Sequence, residues 1–277
     1  MNAADAHTVS MLTFIGLGLY DERSITVEGR DALRDADRAY VEFYTSKLLG
    51  ATVDDLERHH DVDIEVLERA DVEQHPERVL DAAETESVAF CTAGDTMIAT
   101  THTDLRLRAA ERGTDTRVVH GVTAETAAAS LTGLQNYRFG KATTLPFEYA
   151  HAGTDVPDSV LDTIAANRDR GLHTLVFLDI KVGDDTAGAD VRDGDEYMTA
   201  SHAASRLAAH HPDRVAVVVA RAGSPNPLVH ADTLENLADE DFGDPLHLLV
   251  VPGDCHLLEA DALETLADAP RDELDVV

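Results

Sequence analysis

Residues 88–102 run Val88-Ala-Phe-Cys-Thr-Ala-Gly-Asp-Thr-Met-Ile-Ala-Thr-Thr-His102. The apolar run from Val88 to Thr92 predicts a buried strand that breaks at Gly94-Asp95, and an amphipathic helix follows over about residues 101–112. A strand that ends on Gly-Asp brings backbone amides and a carboxylate to the carboxyl edge of a sheet. Because open α/β sheets bind small molecules at that edge, we expect Asp95 to line a binding crevice.

The alternation of strand and helix continues outward from this stretch. Apolar segments at 11–15, 38–44, 117–120 and 141–147 predict strands, Thr26 is placed to cap a helix, and Gly113 is placed to end one. This alternation predicts a mostly parallel sheet. After a segment rich in Gly, Pro and Asp at 148–156, further strands are expected at 174–182, 214–221 and 246–251. We therefore predict an α/β fold with two α/β domains, residues 11–147 and 156–277, after an N-terminal extension of residues 1–10.

Acidic residues dominate the composition. The chain has 53 Asp and Glu against 22 Lys and Arg, a net charge of -31. Because the acidic residues are spread along the whole chain, they indicate a surface adapted to molar salt. The alternative is an acidic protein that binds cations or basic partners. Nucleic acid is an unfavourable partner, since no basic patch is present to neutralise phosphates.

Targeting signals are missing from the pattern. No apolar run has the length needed to cross a bilayer, so we expect no membrane partner. Residues 1–10 have neither a basic start nor an apolar core, and translation could begin at Met1 or Met11. Cys91 and Cys255 lie far apart, which favours reduced thiols and a cytoplasmic protein.

Several kinds of catalytic site are disfavoured because the sequence motifs that they require are missing. Gly16-Leu-Gly18 follows a strand, but the third glycine of a dinucleotide fingerprint would fall at Asp21, which disfavours an NAD-dependent dehydrogenase. No Gly-x-Ser-x-Gly elbow, P-loop or His-Glu-x-x-His motif occurs, so we expect no metal. What remains is a set of strand ends with small residues, which predicts a ligand held by backbone groups and apolar walls between two α/β halves.

Co-linear motifs carry a family resemblance from Met11 nearly to the C-terminus. They are Ile15-Gly-Leu-Gly-Leu-Tyr-Asp-Glu-Arg-Ser-Ile-Thr-Val27, Glu42-Phe-Tyr-Thr-Ser46, Gly94-Asp-Thr-Met-Ile-Ala-Thr-Thr-His102, Thr132-Gly-Leu-Gln-Asn-Tyr-Arg-Phe-Gly-Lys141, Gly171-Leu-His-Thr-Leu-Val-Phe-Leu-Asp-Ile-Lys181, Ala220-Arg-Ala-Gly-Ser-Pro-Asn-Pro227 and Asp241-Phe-Gly-Asp-Pro-Leu-His247. In these segments the chain resembles the diphthine synthase family, a branch of the tetrapyrrole-methylase-like methyltransferases.

The resemblance implies a fold, a reaction and a set of contacts. It implies two α/β domains of the tetrapyrrole methylase type with the ligand cleft between them, and a homodimer. The methyl donor would be S-adenosylmethionine, leaving S-adenosylhomocysteine, and three methyls would go to the amino group of 3-amino-3-carboxypropyl-histidine on translation elongation factor 2, in diphthamide biosynthesis. The donor contacts that it implies are Leu19, Asp95, Ile98, Thr123, Ala124, Leu178, Ala222 and His247.

Two departures from the family pattern bear on donor affinity. Thr96 replaces the proline of the usual Gly-Asp-Pro, and Val122-Thr-Ala124 replaces Pro-Ser-Ile. The residues do not identify a catalytic base, and His102 and His120 are candidates by location alone. Two alternatives stay open: another methyltransferase of this fold acting on a tetrapyrrole or RNA, and a non-catalytic protein that binds S-adenosylmethionine.

Overall fold

The computed structural model describes residues 10–150, 155–182 and 194–277. The chain divides into two compact units, one spanning Met1–Thr123 and a second spanning Ala124–Val277. Residues 1–9 of the predicted extension, residues 151–154 and residues 183–193 lie outside the described residues. No helix in the described ranges is long and apolar enough to cross a membrane.

The first unit is built on a parallel sheet, as its alternating pattern predicts. Its strands are β1 (Met11–Gly16), β2 (Arg38–Glu42), β3 (Ile64–Leu67), β4 (Ser87–Thr92) and β5 (Thr116–Val119). Their order is β3-β2-β4-β1-β5, and each neighbouring pair runs parallel. The helices are α1 (Val27–Arg34), α2 (Val53–His60), α3 (Glu77–Ala83) and α4 (Thr103–Glu111), with a π-helical turn at Ala70–Gln74.

Both faces of this sheet are buried, which explains why its central strands are continuous apolar runs. Phe14 packs with Phe90 in one hydrophobic cluster, whereas Ile15 and Cys91, the next residue of each strand, belong to the cluster on the other face. The alternation follows from the two-residue period of a strand. Strand β3 was not predicted from the sequence, because its interior residues are exposed and lie in a strongly acidic segment.

Local signals set two helix boundaries in this unit. Thr26 caps α1, and its hydroxyl accepts a hydrogen bond from the Gly29 amide at 3.0 Å. Gly113 follows α4 with a φ of +80°, a left-handed conformation that glycine adopts without the steric cost that a side chain adds. Both predictions are confirmed.

The second unit contains a mixed sheet. Its strands are β6 (Thr143–Leu145), β7 (Thr174–Leu178), β8 (Ile180–Lys181), β9 (Glu196–Tyr197), β10 (Val215–Ala220), β11 (Leu228–Thr233) and β12 (His247–Val251). The order is β11-β10-β12-β7-β6, and β8 and β9 form a separate ribbon. Its helices are α5 (Ala124–Thr132), α6 (Asp158–Arg168), α7 (Ala200–Ala208), α8 (Leu234–Leu237) and α9 (Leu257–Ala267). Short 3-10 turns lie at Asn136–Arg138, Glu148–Ala150 and Arg271–Glu273.

The mostly parallel sheet predicted from the strands up to residue 147 is confirmed in the first unit, whereas the sheet of the second unit is mixed. Only β6 and β7 run parallel in the five-stranded sheet of the second unit, and its other three pairings are antiparallel. The turn between β10 and β11 is too short for a crossover connection, so these strands form a hairpin. Strand β11 was missed because His230 and Asp232 interrupt its apolar pattern.

The division between the units falls earlier in the chain than the predicted domain boundary at 148–155. Strand β6, expected as the last strand of a first domain ending at residue 147, pairs instead with β7 through Thr143–Val176 and Leu145–Leu178. Helix α5 likewise packs through Ala128 against the buried residues of the second sheet, such as Val217 and Val219. These contacts are distant in sequence, and local pattern does not reveal them.

Candidate functional site

Three glycine-containing loops meet at the carboxyl edge of the first sheet. Strands β1, β4 and β5 are adjacent and parallel, so their carboxyl ends lie side by side. Gly18 and Gly94 form a bridge, with N–O distances of 3.1 and 2.7 Å. A Cβ on Gly16 would lie 2.5 Å from both the Gly94 oxygen and the Gly121 nitrogen. Glycine is required because the loop backbones cross in van der Waals contact.

Asp95 ties these loops together. It is 3% exposed, and its carboxylate accepts hydrogen bonds from the Met97 amide at 2.9 Å and the Gly121 amide at 3.2 Å. Its Oδ2 atom lies 2.8 Å from Nδ1 of His120. A carboxylate has enough lone pairs to accept these three bonds and still meet another donor. The loops after β4 and β5 are thereby held in one arrangement.

The other predicted donor contacts of the first unit lie at the same edge. Leu19 follows β1, and its carbonyl accepts a hydrogen bond from the Ser24 hydroxyl. Ile98 follows β4, with its amide 3.2 Å from the Asp95 carbonyl and its side chain 42% exposed. Thr123 follows β5 and ends the unit. The structure brings these predicted residues together with Asp95, and their contact with a donor stays a prediction.

The two departures from the family pattern have different surroundings. Thr96 is fully buried, and among the described residues its hydroxyl has no hydrogen-bond partner. Val122 is 50% exposed, whereas Ala124, like Ala222, packs against a buried hydrophobic cluster of the second unit. Thr96 is thus a buried residue directly after Asp95, and the methyl group of Ala124 offers a smaller apolar surface than an isoleucine side chain would.

In the second unit the predicted residues gather at one edge of the mixed sheet. Leu178 ends β7 and Ala222 follows β10, while His247 begins β12, which runs antiparallel to both strands. The end of β10 therefore lies beside the start of β12, where Ala220 pairs with His247. Leu178 and His247 are 7% and 5% exposed. The structure thus brings Leu178, Ala222 and His247 to a common edge.

Both ring nitrogens of His247 are used within the unit. Nδ1 accepts a hydrogen bond from the Ala200 amide at 3.0 Å, so Nε2 carries the proton and donates to the Asp244 carbonyl at 2.9 Å. Burial lowers the pKa of His247, which keeps the ring neutral near pH 7. The side chain can therefore offer a ligand its ring face or its backbone, but no free nitrogen.

The two histidines proposed by location have opposite environments. His102 is fully buried with Glu42, and its Nε2 lies 2.9 Å from Glu42 Oε1. The imidazole of His120 is 78% exposed beside Asp95. His102 therefore cannot reach a substrate outside the protein without rearrangement, whereas His120 can.

Glu42 was not singled out by sequence reasoning, although it opens one of the quoted motifs. Its carboxylate also accepts hydrogen bonds from the Thr45 amide at 3.0 Å and from the Thr45 hydroxyl. It ends β2 beside Thr92 of β4. A glutamate at the end of an apolar strand, followed three residues later by a threonine, was the available signal.

One group of possible metal ligands occurs among the described residues. The ligand atoms of His230, Asp232 and Glu240 lie within 4.8 Å of one another. Asp232 already accepts from the Thr233 amide at 2.6 Å and from Asn236 at 3.0 Å, and His230 lies 3.3 Å from Glu240. These contacts join β11 to α8 and the turn after it, and the prediction of no metal stays a prediction.

Comparison with known proteins agrees with this architecture. The family model described as Tetrapyrrole (Corrin/Porphyrin) Methylases matches residues 11–238. A crystal structure of diphthine synthase superposes with a TM-score of 0.86 at 40% identity, covering 97% of this chain and 100% of that one. The chain therefore belongs to the tetrapyrrole methylase family, and it is an S-adenosylmethionine-dependent methyltransferase.

Relatives that match over nearly their whole length show which branch of the tetrapyrrole methylase family the chain belongs to. The diphthine synthase of Halorubrum lacusprofundi is 70% identical over 262 residues, covering 95% of this chain and 98% of the relative. That of Natronomonas pharaonis is 67% identical over 264 residues, with the same coverage. Within the tetrapyrrole methylases, the chain belongs to the diphthine synthases of halophilic archaea. The family resemblance is confirmed, and the adaptation of the acidic surface to molar salt stays a prediction.

Proposed function

We propose that this chain transfers methyl groups from S-adenosylmethionine to the amino group of 3-amino-3-carboxypropyl-histidine on elongation factor 2, three times, to give diphthine. The observation that carries the proposal is the 70% and 67% identity to diphthine synthases over 95% of the chain. Identity of this extent covers both units and every quoted motif. Because elongation factor 2 works with ribosomes, the reaction would take place in the cytoplasm.

The donor contacts are proposed residue by residue. In the first unit they are Leu19, Asp95, Ile98 and Thr123, and in the second they are Ala124, Leu178, Ala222 and His247. Asp95 offers a buried carboxylate to a cationic sulfonium, or to the ribose or amino groups of the donor. Next to it, a Cβ on Gly94 would meet no atom within 4 Å. The backbone there is open to approach by a ligand, so these residues fit a small polar donor.

The physical requirements of the reaction match what the chain offers. S-adenosylmethionine supplies an activated methyl, so no covalent protein nucleophile is required. The protein contributes by positioning the acceptor amine and excluding water, which can supply much of the rate. The described strand ends have no Gly-x-Ser-x-Gly elbow and expose no free thiol, since Cys91 and Cys255 are buried. Positioning by backbone groups is the mechanism that these edges favour.

We also propose a homodimer, as in the family resemblance. Helix α9 exposes Leu257, Leu258 and Leu266 at 64%, 69% and 55%. Large apolar side chains exposed along one helix are the kind of surface that a partner protein covers. Light scattering of the purified protein in concentrated potassium chloride would give the mass, and a monomeric mass would contradict this part of the proposal.

Mass spectrometry of elongation factor 2 tests the function. The protein, S-adenosylmethionine and factor carrying the unmethylated modified histidine are mixed in concentrated potassium chloride. We expect three added methyls on that histidine; one or two would keep the enzyme class and change the extent. If no methyl is added while calorimetry shows donor binding and a known active enzyme modifies the same factor, a different methyl acceptor or a non-catalytic donor-binding role is favoured.

A matched pair of variants tests the donor site. Asp95→Ala removes the buried carboxylate, and we expect the dissociation constant of S-adenosylmethionine to rise at least tenfold. Asp104→Ala removes a carboxylate of the same unit that is 59% exposed on α4 and paired with Arg108, and donor affinity should stay unchanged. Equal affinities of the two variants, measured by calorimetry, would remove Asp95 from the proposed site.

A further inference from the structure

His120 and Asp95 have the geometry of a base held by a carboxylate. The Nδ1 atom of His120 lies 2.8 Å from Oδ2 of Asp95, which also accepts from the Gly121 amide. An ionised carboxylate can only accept hydrogen bonds, so Nδ1 must carry the proton in this contact. The other ring nitrogen, Nε2, then presents a lone pair. A carboxylate that fixes the tautomer of an imidazole in this way prepares the far nitrogen to receive a proton.

The lone pair of Nε2 faces solvent. The His120 side chain is 78% exposed, while its partner Asp95 is 3% exposed. Within the described part of the chain, no hydrogen bond involves Nε2 of His120. The ring is thus anchored on one side by a buried group and open on the other. Arg117, the charged residue of the preceding strand β5, is engaged with Glu28 of α1.

Repeated methylation of an amine needs a proton acceptor. An amine attacks only as its neutral form, and each methyl added to a primary or secondary amine leaves an ammonium that must lose a proton before the next attack. Starting from R-NH₃⁺, three methyl transfers give R-N(CH₃)₃⁺ and release three protons. Positioned side chains contribute about 10²–10⁴-fold to such proton transfers.

We propose that His120 is the catalytic base that deprotonates the substrate ammonium, and that Asp95 is its positioning residue. In each cycle Nε2 takes one proton from the ammonium, the neutral amine keeps the electron pair that forms the new N–C bond, and the imidazolium passes its proton to solvent. This role of His120 rests on the proposed function. The sequence offered both His102 and His120 as candidate bases by location. The structure favours His120, since the Nε2 of His102 is hydrogen-bonded to buried Glu42.

His120→Asn is the central variant. The asparagine amide can donate to Asp95 in place of Nδ1, so the loop arrangement is kept while the accepting nitrogen is lost. We expect methylation of elongation factor 2 to fall about 100-fold near pH 7, within the range for a positioned base. The deficit should shrink to less than about tenfold near pH 9.5, because free amino groups lose their proton to water above about pH 8. Donor affinity by calorimetry should stay within twofold.

The matched control is His202→Asn. His202 is 46% exposed, and its Nε2 lies 2.9 Å from Glu148, so it is also a surface histidine paired with a carboxylate. The His202→Asn variant should methylate elongation factor 2 at the same rate as the unaltered chain at every pH. Because the His120 ring is exposed, His120→Asn should fold normally, which circular dichroism checks.

A second measurement does not depend on turnover. Nitrogen-15 NMR of the free protein should show His120 protonated on Nδ1, and Asp95→Asn should release the ring to a mixture of tautomers. An Nε2-protonated ring in the unaltered chain would overturn the assignment.

The outcomes separate the two proposals. If the unaltered chain methylates the factor and His120→Asn matches it across pH, the base proposal is wrong and the proposed function stands. A loss of donor affinity equal to the loss of rate would make His120 a donor-binding residue and would also overturn the base proposal. If the unaltered chain binds the donor but methylates nothing, the proposed function itself fails.

Discussion

Replacing Asp95 by asparagine changes one buried atom and should destabilise the loops at the carboxyl edge of the first sheet. The carboxylate accepts from Met97 with one oxygen and from Gly121 and His120 with the other. Asparagine keeps one accepting oxygen and turns the other into a donor. Whichever way the amide faces, at least one partly buried backbone N–H, that of Met97 or Gly121, meets another donor and loses its partner.

The size of the effect follows from these hydrogen bonds. An unsatisfied buried donor costs about 1–3 kcal/mol, and a hydrogen bond to a charged group contributes about 1.5–3 kcal/mol. His120 is 78% exposed, so water replaces most of its lost contact. We therefore expect a loss of about 2–4 kcal/mol, dominated by the amide of Gly121 or Met97.

Hydrogen exchange followed by mass spectrometry measures this loss locally, on peptides that cover residues 88–123. Opening free energies should fall by about 2–4 kcal/mol in Asp95→Asn, whereas Asp104→Asn, on the exposed face of α4, should change them by less than about 0.5 kcal/mol. Equal protection in the two variants would refute the stabilising role assigned to the hydrogen bonds of Asp95.

Three further predictions concern packing, a buried pair and pH. Gly121→Ala should cost several kcal/mol in urea unfolding, because its Cβ would overlap the Gly94 carbonyl, which is backbone and cannot move aside. Glu42→Gln should cost about 2–3 kcal/mol in the same assay, since the amide cannot accept from all the donors that the carboxylate serves. Burial lowers the pKa of His60 and His247. Below about pH 6.5 these histidines therefore bind protons in the unfolded chain more readily than in the folded chain. The free energy of unfolding should then fall by up to about 1.4 kcal/mol per pH unit for each histidine as the pH is lowered.

Each of these predictions has its own control. Gly113→Ala adds a Cβ that meets no atom within 4 Å and strains only a φ of +80°, so it should cost about 1–2 kcal/mol; an equal cost at Gly121 would contradict the overlap. Glu65→Gln alters a half-exposed carboxylate paired with Arg78 and should be nearly neutral. In His60→Gln the loss between pH 7.5 and 5.5 should become shallower, and an unchanged slope would exclude that histidine as a cause.

Most elements of the fold could be predicted from the sequence because their causes are local. The run Val88–Thr92 is apolar on both faces of a strand, the Thr26 hydroxyl can reach an amide three residues on, and Gly113 tolerates a left-handed turn. Each signal depends on residues within a few positions of one another. The edge strands β3 and β11 escaped prediction, since their exposed faces carry charged or polar residues that hide the period of a strand.

The sequence could predict which residues belong to the candidate site, but it could not predict which of them contact one another. The strand ends pointed to Asp95, and the resemblance supplied its companions, but the contact of Asp95 with His120 joins residues 25 positions apart. The same holds for Glu42 and His102, which lie 60 positions apart.

The sequence by itself determined most of the helices and strands, the family and the residues at the strand ends. Only the tertiary structure decided that β6 pairs with β7, that His102 is buried, and that His120 keeps one nitrogen free. The reason is physical: periodicity and capping depend on near neighbours, whereas strand pairing and the exposure of a side chain depend on what distant parts of the chain place beside it.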